Sequence, residues 1–513
     1  MTNRDLSNAR IAVIGSGTMG MGIVQLAICH GHHTYLYDTD LVKAQQAVTA
    51  LRTTLEKLVA KQKLTTEQLE QAWSRLFIAN AVEELKTVDL VIEAIVEKQQ
   101  VKQALFQQLA EICPADTVFA SNTSSISITA IASQVPQPER VVGLHFFNPA
   151  PIMKLVEIIQ GLKTPVQLCQ ALQQLMLKWC KVPVLAQSTP GFIVNRIARP
   201  FYSEGFRALQ EQVVSPEQLD YLLRQCGGFA MGPCELTDLI GQDVNFSVTQ
   251  TVYQQFFYEP RYRPSLVQQQ LVDAGCYGRK TGQGFYNYTS ESRARYQPSL
   301  AKSTSAEWDD ATLAGSWNNQ PAFVERIQAT YELRQVAAKH NVLWIDDIAV
   351  TLSHGEAVNF SDPQQKTVVM DWHANWQSAE AIALSHNLSC QPEDLAKVAD
   401  FFAGLGVAVV WLKDHPALLS LRIIALLINE ACEAVQQAVA SPEDIDNAMK
   451  YGVNYPQGPF EWLQQIGTAH ILKTLQNLYE FYGEEKYRPS VYLKQLLAQQ
   501  QQLSHLAALP ASV

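Results

Sequence analysis

The side chains with the clearest chemical potential lie in the N-terminal part of the chain. Gly15-Ser16-Gly17-Thr18-Met19-Gly20 directly follows the apolar run Ile11-Ala12-Val13-Ile14. The first glycine permits a tight turn, the second lets a pyrophosphate approach the backbone, and the third lets the next helix pack close on the strand. A helix opening at Thr18 and Met19 offers free N–H groups and a positive dipole end to phosphates. Glycine turns are common, so context decides. This one follows a strand, opens a helix, and has an acid, Asp38, after the next apolar run, Thr34-Tyr35-Leu36-Tyr37. Asp38 is suited to accept hydrogen bonds from the adenosine ribose hydroxyls. Thr39 and Asp40 follow with no Arg or Lys, so a 2′-phosphate would meet two carboxylates and NAD is favoured over NADP.

Further along come Ser121-Asn122-Thr123-Ser124-Ser125, then Leu144-His145-Phe146-Phe147-Asn148-Pro149, then Lys154-Leu155-Val156-Glu157. Histidine is the natural base for taking a proton from an alcohol near neutral pH. A carboxylate that accepts its second ring N–H fixes the tautomer and stabilises the imidazolium. Singly, each residue has an ordinary explanation: a histidine between strands is more often structural, Glu157 a surface acid, Ser124 a turn residue. Their succession carries more weight than any one of them.

The elements that must position these residues alternate. Strands are expected at 11–14, 34–37, 90–92, 118–120 and 141–144, with helices at about 19–30, 99–112 and 128–134 between them. This pattern implies a mostly parallel, doubly wound sheet of Rossmann type with helices on both faces, over residues 1–187. Residues 41–72 are helical and longer than a crossover needs. Character changes near Thr189-Pro190-Gly191, and 188–290 reads as all-helical. Residues 291–320 are polar and read as a linker. Residues 321–412 return to an α/β pattern, with strands at 342–345, 367–370 and 408–411, and 413–505 is helical again.

The last helical block repeats the first. Pro190 recurs as Pro416, an offset of 226, and the same offset relates Arg196 to Arg422, Glu204 to Glu430, Asp220 to Asp446 and Gly232-Pro233 to Gly458-Pro459. After a one-residue slip, Tyr262-Arg263-Pro264-Ser265 matches Tyr487-Arg488-Pro489-Ser490. Register held this long implies a duplicated domain. The chain's 513 residues are too many for one core. Its net charge of −10 disfavours nucleic acid or an anionic membrane as main partner. The cysteines form no CxxC or zinc spacing, and no metal site is expected. No signal peptide or bilayer-spanning run is read, so a cytoplasmic protein is expected.

The run through Ser121–Ser125 and His145–Pro149 resembles the 3-hydroxyacyl-CoA dehydrogenase family. The match continues through Thr189-Pro190-Gly191-Phe192-Ile193-Val194-Asn195-Arg196 and closes with Gly278-Arg279-Lys280-Thr281-Gly282-Gln283-Gly284-Phe285-Tyr286. The resemblance implies a reversible NAD-dependent oxidation of 3-hydroxyacyl-CoA to 3-ketoacyl-CoA. In it, His145 is the general base, Glu157 pairs with it, and Ser124 and Asn195 hold the reacting oxygen or the substrate. It further implies that Glu93, Glu97, Lys102, Asn122 and Asn148 line the cofactor and the CoA channel, with Lys102 able to meet both pyrophosphates. Lys57, Lys61 and Lys63, on the helical insertion expected to cover CoA, would meet its phosphates, against the ordinary reading of each as a solvated lysine. The helical domain is expected to close over the acyl chain.

The whole chain is most similar to the bacterial long form of this family, associated with 3-hydroxyadipyl-CoA or 3-hydroxybutyryl-CoA in phenylacetate-type aromatic degradation. Arg199, one helical turn after Asn195, is then a candidate for the distal carboxylate of a diacid, or equally for an interdomain salt bridge. In the second helical copy Asn195 becomes Leu421 and Pro-Gly-Phe becomes Pro416-Ala417-Leu418, so one active site per chain is expected. Copy two is expected to pack on copy one as an intrachain pseudo-dimer, with homodimerisation of the whole chain open. Two other readings stay open: a dehydrogenase of small hydroxy or sugar acids, which has no use for the lysine-bearing insertion, and a non-catalytic NAD-binding scaffold, in which Ser124, His145, Glu157 and Asn195 would be expected to erode.

Overall fold

The computed structural model describes residues 5–289, 296–300, 308–318 and 320–507. In chain order the first elements are β1 (Ile11–Ile14), α1 (Thr18–Cys29), β2 (Thr34–Tyr37), α2 (Leu41–Ala60), α3 (Thr66–Trp73), β3 (Leu76–Ile78), β4 (Leu90–Glu93), α4 (Gln99–Ile112) and β5 (Val118–Ser121). They continue with α5 (Ile128–Ala132), β6 (Val141–Phe146), β7 (Leu155–Gln160), α6 (Val166–Lys178), β8 (Val182–Gln187) and α7 (Val194–Ile197). A helical stretch follows: α8 (Arg199–Gln210), α9 (Pro216–Gln225), α10 (Pro233–Ile240), α11 (Gln242–Gln255) and α12 (Leu266–Asp273). Next come β9 (Ala311–Ala314), α13 (Pro321–Thr330), β10 (Arg334–Val336), β11 (Val342–Ile345), β12 (Ile348–Leu352), β13 (Thr367–Met370), β14 (Ala381–His386), α14 (Pro392–Gly404) and β15 (Ala408–Trp411). The chain closes with α15 (Ser420–Gln436), α16 (Pro442–Val453), α17 (Pro459–Ile466), α18 (Thr468–Tyr482) and α19 (Val491–Ala507).

The chain forms two compact units, one of residues 1–196 with 437–453, the other of 197–436 with 454–513. In the first, eight strands run in the order β3-β2-β1-β4-β5-β6-β7-β8. All neighbours are parallel except β6 and β7. Strands β1, β4, β5 and β6 are buried along their whole length, which is why they read as mostly apolar runs, broken only by Glu93, Ser121, Gly143 and His145. The insertion folds as a hairpin of α2 and α3. Asp40 caps α2 through Lys43 N–H, Thr65 and Gln68 form a capping box on α3, and Arg52 bridges Glu56 and Glu70. Helix α16 belongs to this unit and packs on β7 and β8.

In the second unit a mixed sheet runs β10-β9-β11-β12-β13-β14-β15. Its last four strands repeat the directions of β5-β6-β7-β8: parallel, antiparallel, parallel. The expected linker needs correction. The parts at 290–295, 301–307 and 319 lie outside the described residues, but Ala311–Ala314 is a strand between β10 and β11, and Trp317 is buried. A short Ala-Thr-Leu-Ala run among polar residues lacks the β-branched signal of a strand, and pairing on both edges supplies what propensity does not.

The two helical copies meet within this unit, α8 against α15. Buried Glu204 accepts from Arg422 Nε at 2.6 Å, from Tyr487 OH at 2.9 Å and from Lys486. Its repeat equivalent, Glu430, accepts from Tyr262 OH at 2.6 Å and Arg261 at 3.2 Å. Burial pushes the Glu204 carboxyl up, but Lys486 and Arg422 outweigh burial and hold it well below the usual carboxylate range. The two halves of this contact are near copies, as in an isologous interface closed within one chain.

Candidate active site

The turn from β1 into α1 carries the glycines. Gly15 adopts φ +105°, and a methyl on Gly20 would stand 1.9 Å from Gly15 O, so both are required by the turn itself. Gly17 has nothing within 4 Å of the position a Cβ would take. That open face, at the start of a helix whose first residues are Thr18 and Met19, fits a pyrophosphate. Asp38 stands at the end of β2. Its Oδ2 accepts from Ser16 N at 2.8 Å and Ser16 Oγ at 2.6 Å, which ties the acid to the turn. Partial burial raises its pKa, but the Ser16 and Asp40 hydrogen bonds outweigh it, and the net shift is downward. The residues present therefore suit an adenosine ribose and a diphosphate.

His145 lies on β6 directly opposite Glu157 on the antiparallel β7. Its Nδ1 is 2.7 Å from Glu157 Oε2, and the two residues are 6% and 1% exposed. With Nδ1 committed, Nε2 is the nitrogen left to exchange a proton. Phe147 tilts over the imidazole at 4.5 Å, and Phe192 stands edge-on at 6.1 Å. The other carboxylate oxygen, Glu157 Oε1, accepts from Ile193 N at 3.1 Å and Val194 N at 3.0 Å. One buried acid thus orients the imidazole and anchors the start of α7, where Asn195 follows. Half-buried Asn195 points its Nδ2 toward Ser124 O at 3.4 Å. Ser124, His145, Glu157 and Asn195 all lie in the first unit.

Around them runs a second acid network. Glu97 Oε1 accepts from Thr123 Oγ1 at 2.5 Å, Ser124 N at 2.9 Å and Ser124 Oγ at 3.3 Å. Burial raises the Glu97 pKa, but Lys102 and these hydrogen bonds outweigh it and leave it lowered. Asn122 Oδ1 accepts from Phe146 N at 2.8 Å, so Asn122 fastens β5 to the strand of His145. Asn148 is exposed on the loop after β6.

Two expectations need correction here. Lys102 is 1% exposed and its Nζ lies 2.6 Å from Glu93 and 3.1 Å from Glu97, so it faces carboxylates rather than offering a cation to pyrophosphates. A lysine one helical turn into α4 reads as surface until β4 supplies a buried acid. Glu93 is itself fully buried, holding Lys102, Ser121 Oγ and Ile95 N, and does not line an open channel. Lys57, Lys61 and Lys63 sit at the exposed end of α2 and just beyond it; Lys61 is the C-cap.

Sequence reading missed the partner of the second helical copy. The 226-residue offset, extended upstream, sets Asp371 at the position of His145 and Ala383 at that of Glu157. The strand register agrees, since Asp371 N donates to Ala383 O. Asp371 carboxylate oxygens accept from Leu419, Ser420 and Leu421 N–H at 3.2, 2.8 and 3.0 Å. It does for α15 what Glu157 does for α7, from the opposite strand, and no imidazole remains. Extending the repeat into the strands would have found the position, though not the role.

Comparison with known proteins agrees with this geometry. Residues 10–189 match the 3-hydroxyacyl-CoA dehydrogenase NAD binding domain, and 191–288 and 419–504 match the C-terminal domain of the same family. Residues 350–416 match the 3-hydroxybutyryl-CoA dehydrogenase reduced Rossmann-fold domain. The chain belongs to the 3-hydroxyacyl-CoA dehydrogenase family and is an NAD-dependent oxidoreductase. It is similar to a 3-hydroxyadipyl-CoA dehydrogenase of Escherichia coli, 44% identical over 94% of this chain and 96% of that one. A Clostridioides difficile 3-hydroxybutyryl-CoA dehydrogenase is 39% identical over 54% of this chain and 99% of its own length. A crystal structure of an Escherichia coli 3-hydroxybutyryl-CoA dehydrogenase superposes with a TM-score of 0.89, at 42% identity, covering 97% of this chain and 100% of that one.

Proposed function

We propose that the chain oxidises 3-hydroxyacyl-CoA thioesters to 3-ketoacyl-CoA with a preference for an acyl chain ending in a carboxylate, 3-hydroxyadipyl-CoA above 3-hydroxybutyryl-CoA. The observation that carries the chemistry is the buried His145–Glu157 pair. His145 Nε2 takes the hydroxyl proton of the substrate as the C3–H bond breaks. Glu157 holds the ring in one tautomer and stabilises the imidazolium that forms. Ser124 and Asn195, brought together by the Glu97 and Glu157 networks, would hold the reacting oxygen. Bound NAD supplies the hydride acceptor. Gly15, Gly17, Gly20, Thr18 and Met19 would form its phosphate turn, Asp38 would take its ribose hydroxyls, and Asn122 and Asn148 would border its nicotinamide side. Glu97 would border the same pocket, with Lys102 positioning Glu97. Lys61, with its neighbours on the hairpin, is proposed for the CoA phosphates.

The diacid preference rests on Arg199 and on the similarity to the 44%-identical 3-hydroxyadipyl-CoA dehydrogenase. Arg199 is 4% exposed, donates to Thr249 Oγ1 at 2.7 Å and lies over the Tyr202 ring at 4.9 Å. No described carboxylate pairs with it, and its Nε has no hydrogen-bond partner. A buried guanidinium without an acid is costly unless an anion reaches it. Rates on 3-hydroxyadipyl-CoA and 3-hydroxybutyryl-CoA are the test. Arg199→Met should lower kcat/KM for the diacid by about tenfold or more and leave the monoacid near wild type. Equal losses on both would remove Arg199 from recognition. A role in aromatic degradation of the phenylacetate type, and a cytoplasmic setting in which nine free thiols stay reduced, fit this reading. So does a chain whose paired helical copies stand in for a subunit dimer.

A further inference from the structure

The loop from Asn148 to Met153 joins the strand of the base to the strand of its acid. It turns on Pro149, whose carbonyl accepts from Ile152 N and Met153 N, both at 3.0 Å. It lies against the dinucleotide helix: a methyl on Gly22 of α1 would stand 3.0 Å from Pro151 Cδ and 3.1 Å from Ala150 Cβ. Two backbone carbonyls of this loop, Ala150 O and Met153 O, receive the ammonium of Lys181 at 2.6 and 2.8 Å. Lys181 opens the run into β8, is 6% exposed, and has no carboxylate partner among the described residues. A buried lysine that spends its charge on loop carbonyls is unusual, because burial disfavours the charged form. Here burial brings its pKa down to about 8, with the Cys180 thiol as a smaller opposing influence.

We infer that Lys181 is a positioning residue for the reaction, clamping the 148–153 loop so that Asn148 and the end of the His145 strand are held against the cofactor-binding helix. The inference rests on the proposed function only for the identity of the acyl substrate. Among the described residues no other side chain ties two carbonyls of this loop together, and Ala150 O and Met153 O have no second donor there. Loosening it alters the nicotinamide side of the pocket while the hairpin and the glycine turn stay in place.

The test is Lys181→Met in the full-length protein, with Lys181→Arg beside it, read by NADH fluorescence titration and steady-state kinetics. Lys181→Met should weaken NADH binding and lower kcat by about tenfold each, with KM for the acyl-CoA close to wild type, since misplacement of a positioning loop acts at the reacting centre. Lys181→Arg, which keeps a cation and donors, should recover most of both. If Lys181→Met melts early, Lys181→Gln, which keeps an amide donor for one carbonyl, is read on the same constants. NADH affinity unchanged in folded Lys181→Met or Lys181→Gln overturns the inference. The NADH titration reads this outcome even if wild type proves inactive on acyl-CoA, a result that would instead count against the proposed function.

Discussion

At the scale of single residues, Glu157 has two tasks that a neutral amide cannot share. One oxygen receives the imidazole N–H and the other receives two helix N–H groups. Glu157→Gln keeps the shape but offers one acceptor and one donor. Either the ring loses its fixed tautomer or the start of α7 meets an N–H of like polarity. The expected result is a fall in kcat of about 10²–10⁴-fold with NADH affinity near wild type, measured by steady-state assay and fluorescence titration. A fall of under about threefold would mean that the carboxylate does not orient the base. On the proposed roles, Ser124 and Asn195 have smaller expected effects than His145, because they would hold an atom while His145 would move a proton.

At the scale of elements, the turn between β1 and α1 separates two uses of glycine. Gly20 is needed for packing: a methyl there overlaps Gly15 O. Gly17 leaves room for approach, since its Cβ position is empty. Gly17→Ala should therefore melt close to wild type and bind NADH about tenfold or more weakly. Gly20→Ala should lose about 1–3 kcal/mol of stability through overpacking. Thermal melts alongside NADH titrations distinguish the two, and a Gly17→Ala protein with wild-type affinity would place the pyrophosphate elsewhere. The same scale explains why β6 and β7 are antiparallel: residues 147–154 are too few for a parallel crossover, and the resulting register sets His145 directly across from Glu157.

At the scale of the whole molecule, the second unit keeps the sheet edge of an active site without its chemistry. Asp371 occupies the base position and serves the helix, and His373 stands where the first copy has Phe147. His373 is 3% exposed, and burial lowers its pKa to about 4. The unfolded chain binds that proton near the ordinary histidine value, so the folded state falls behind as pH drops. The stability present above about pH 6.5 is lost progressively down to about pH 4. The buried carboxyl of Asp371, pushed up to about 6 by desolvation, acts in the opposite sense over the same range, so the variant must be compared with wild type rather than read alone. His373→Phe, borrowing the first copy's residue, should lose less stability than wild type between pH 7 and 4.5, by up to about 2–3 kcal/mol. Urea unfolding at both pH values measures it, and equal losses in the two proteins would mean that His373 is protonated in the folded state.

The sequence alone determined the glycine turn, Asp38, five of the eight strands of the first sheet, the run of candidate site residues from Ser121 to Asn195 and the helical duplication. These are local: a turn needs particular residues at particular spacings, and a strand buried on both faces is mostly apolar. Tertiary structure decided what depends on partners distant in the chain. Lys102 read as a free cation until Glu93 and Glu97 enclosed it. Ala311–Ala314 read as linker until strands on both sides paired with it. Lys181 carried no signal at all, because its partners are backbone carbonyls, which every residue possesses. Asp371 lay at the repeat offset, yet its role came only with the fold, since a carboxylate is assigned to a helix by the N–H groups it faces and sequence spacing does not report direction.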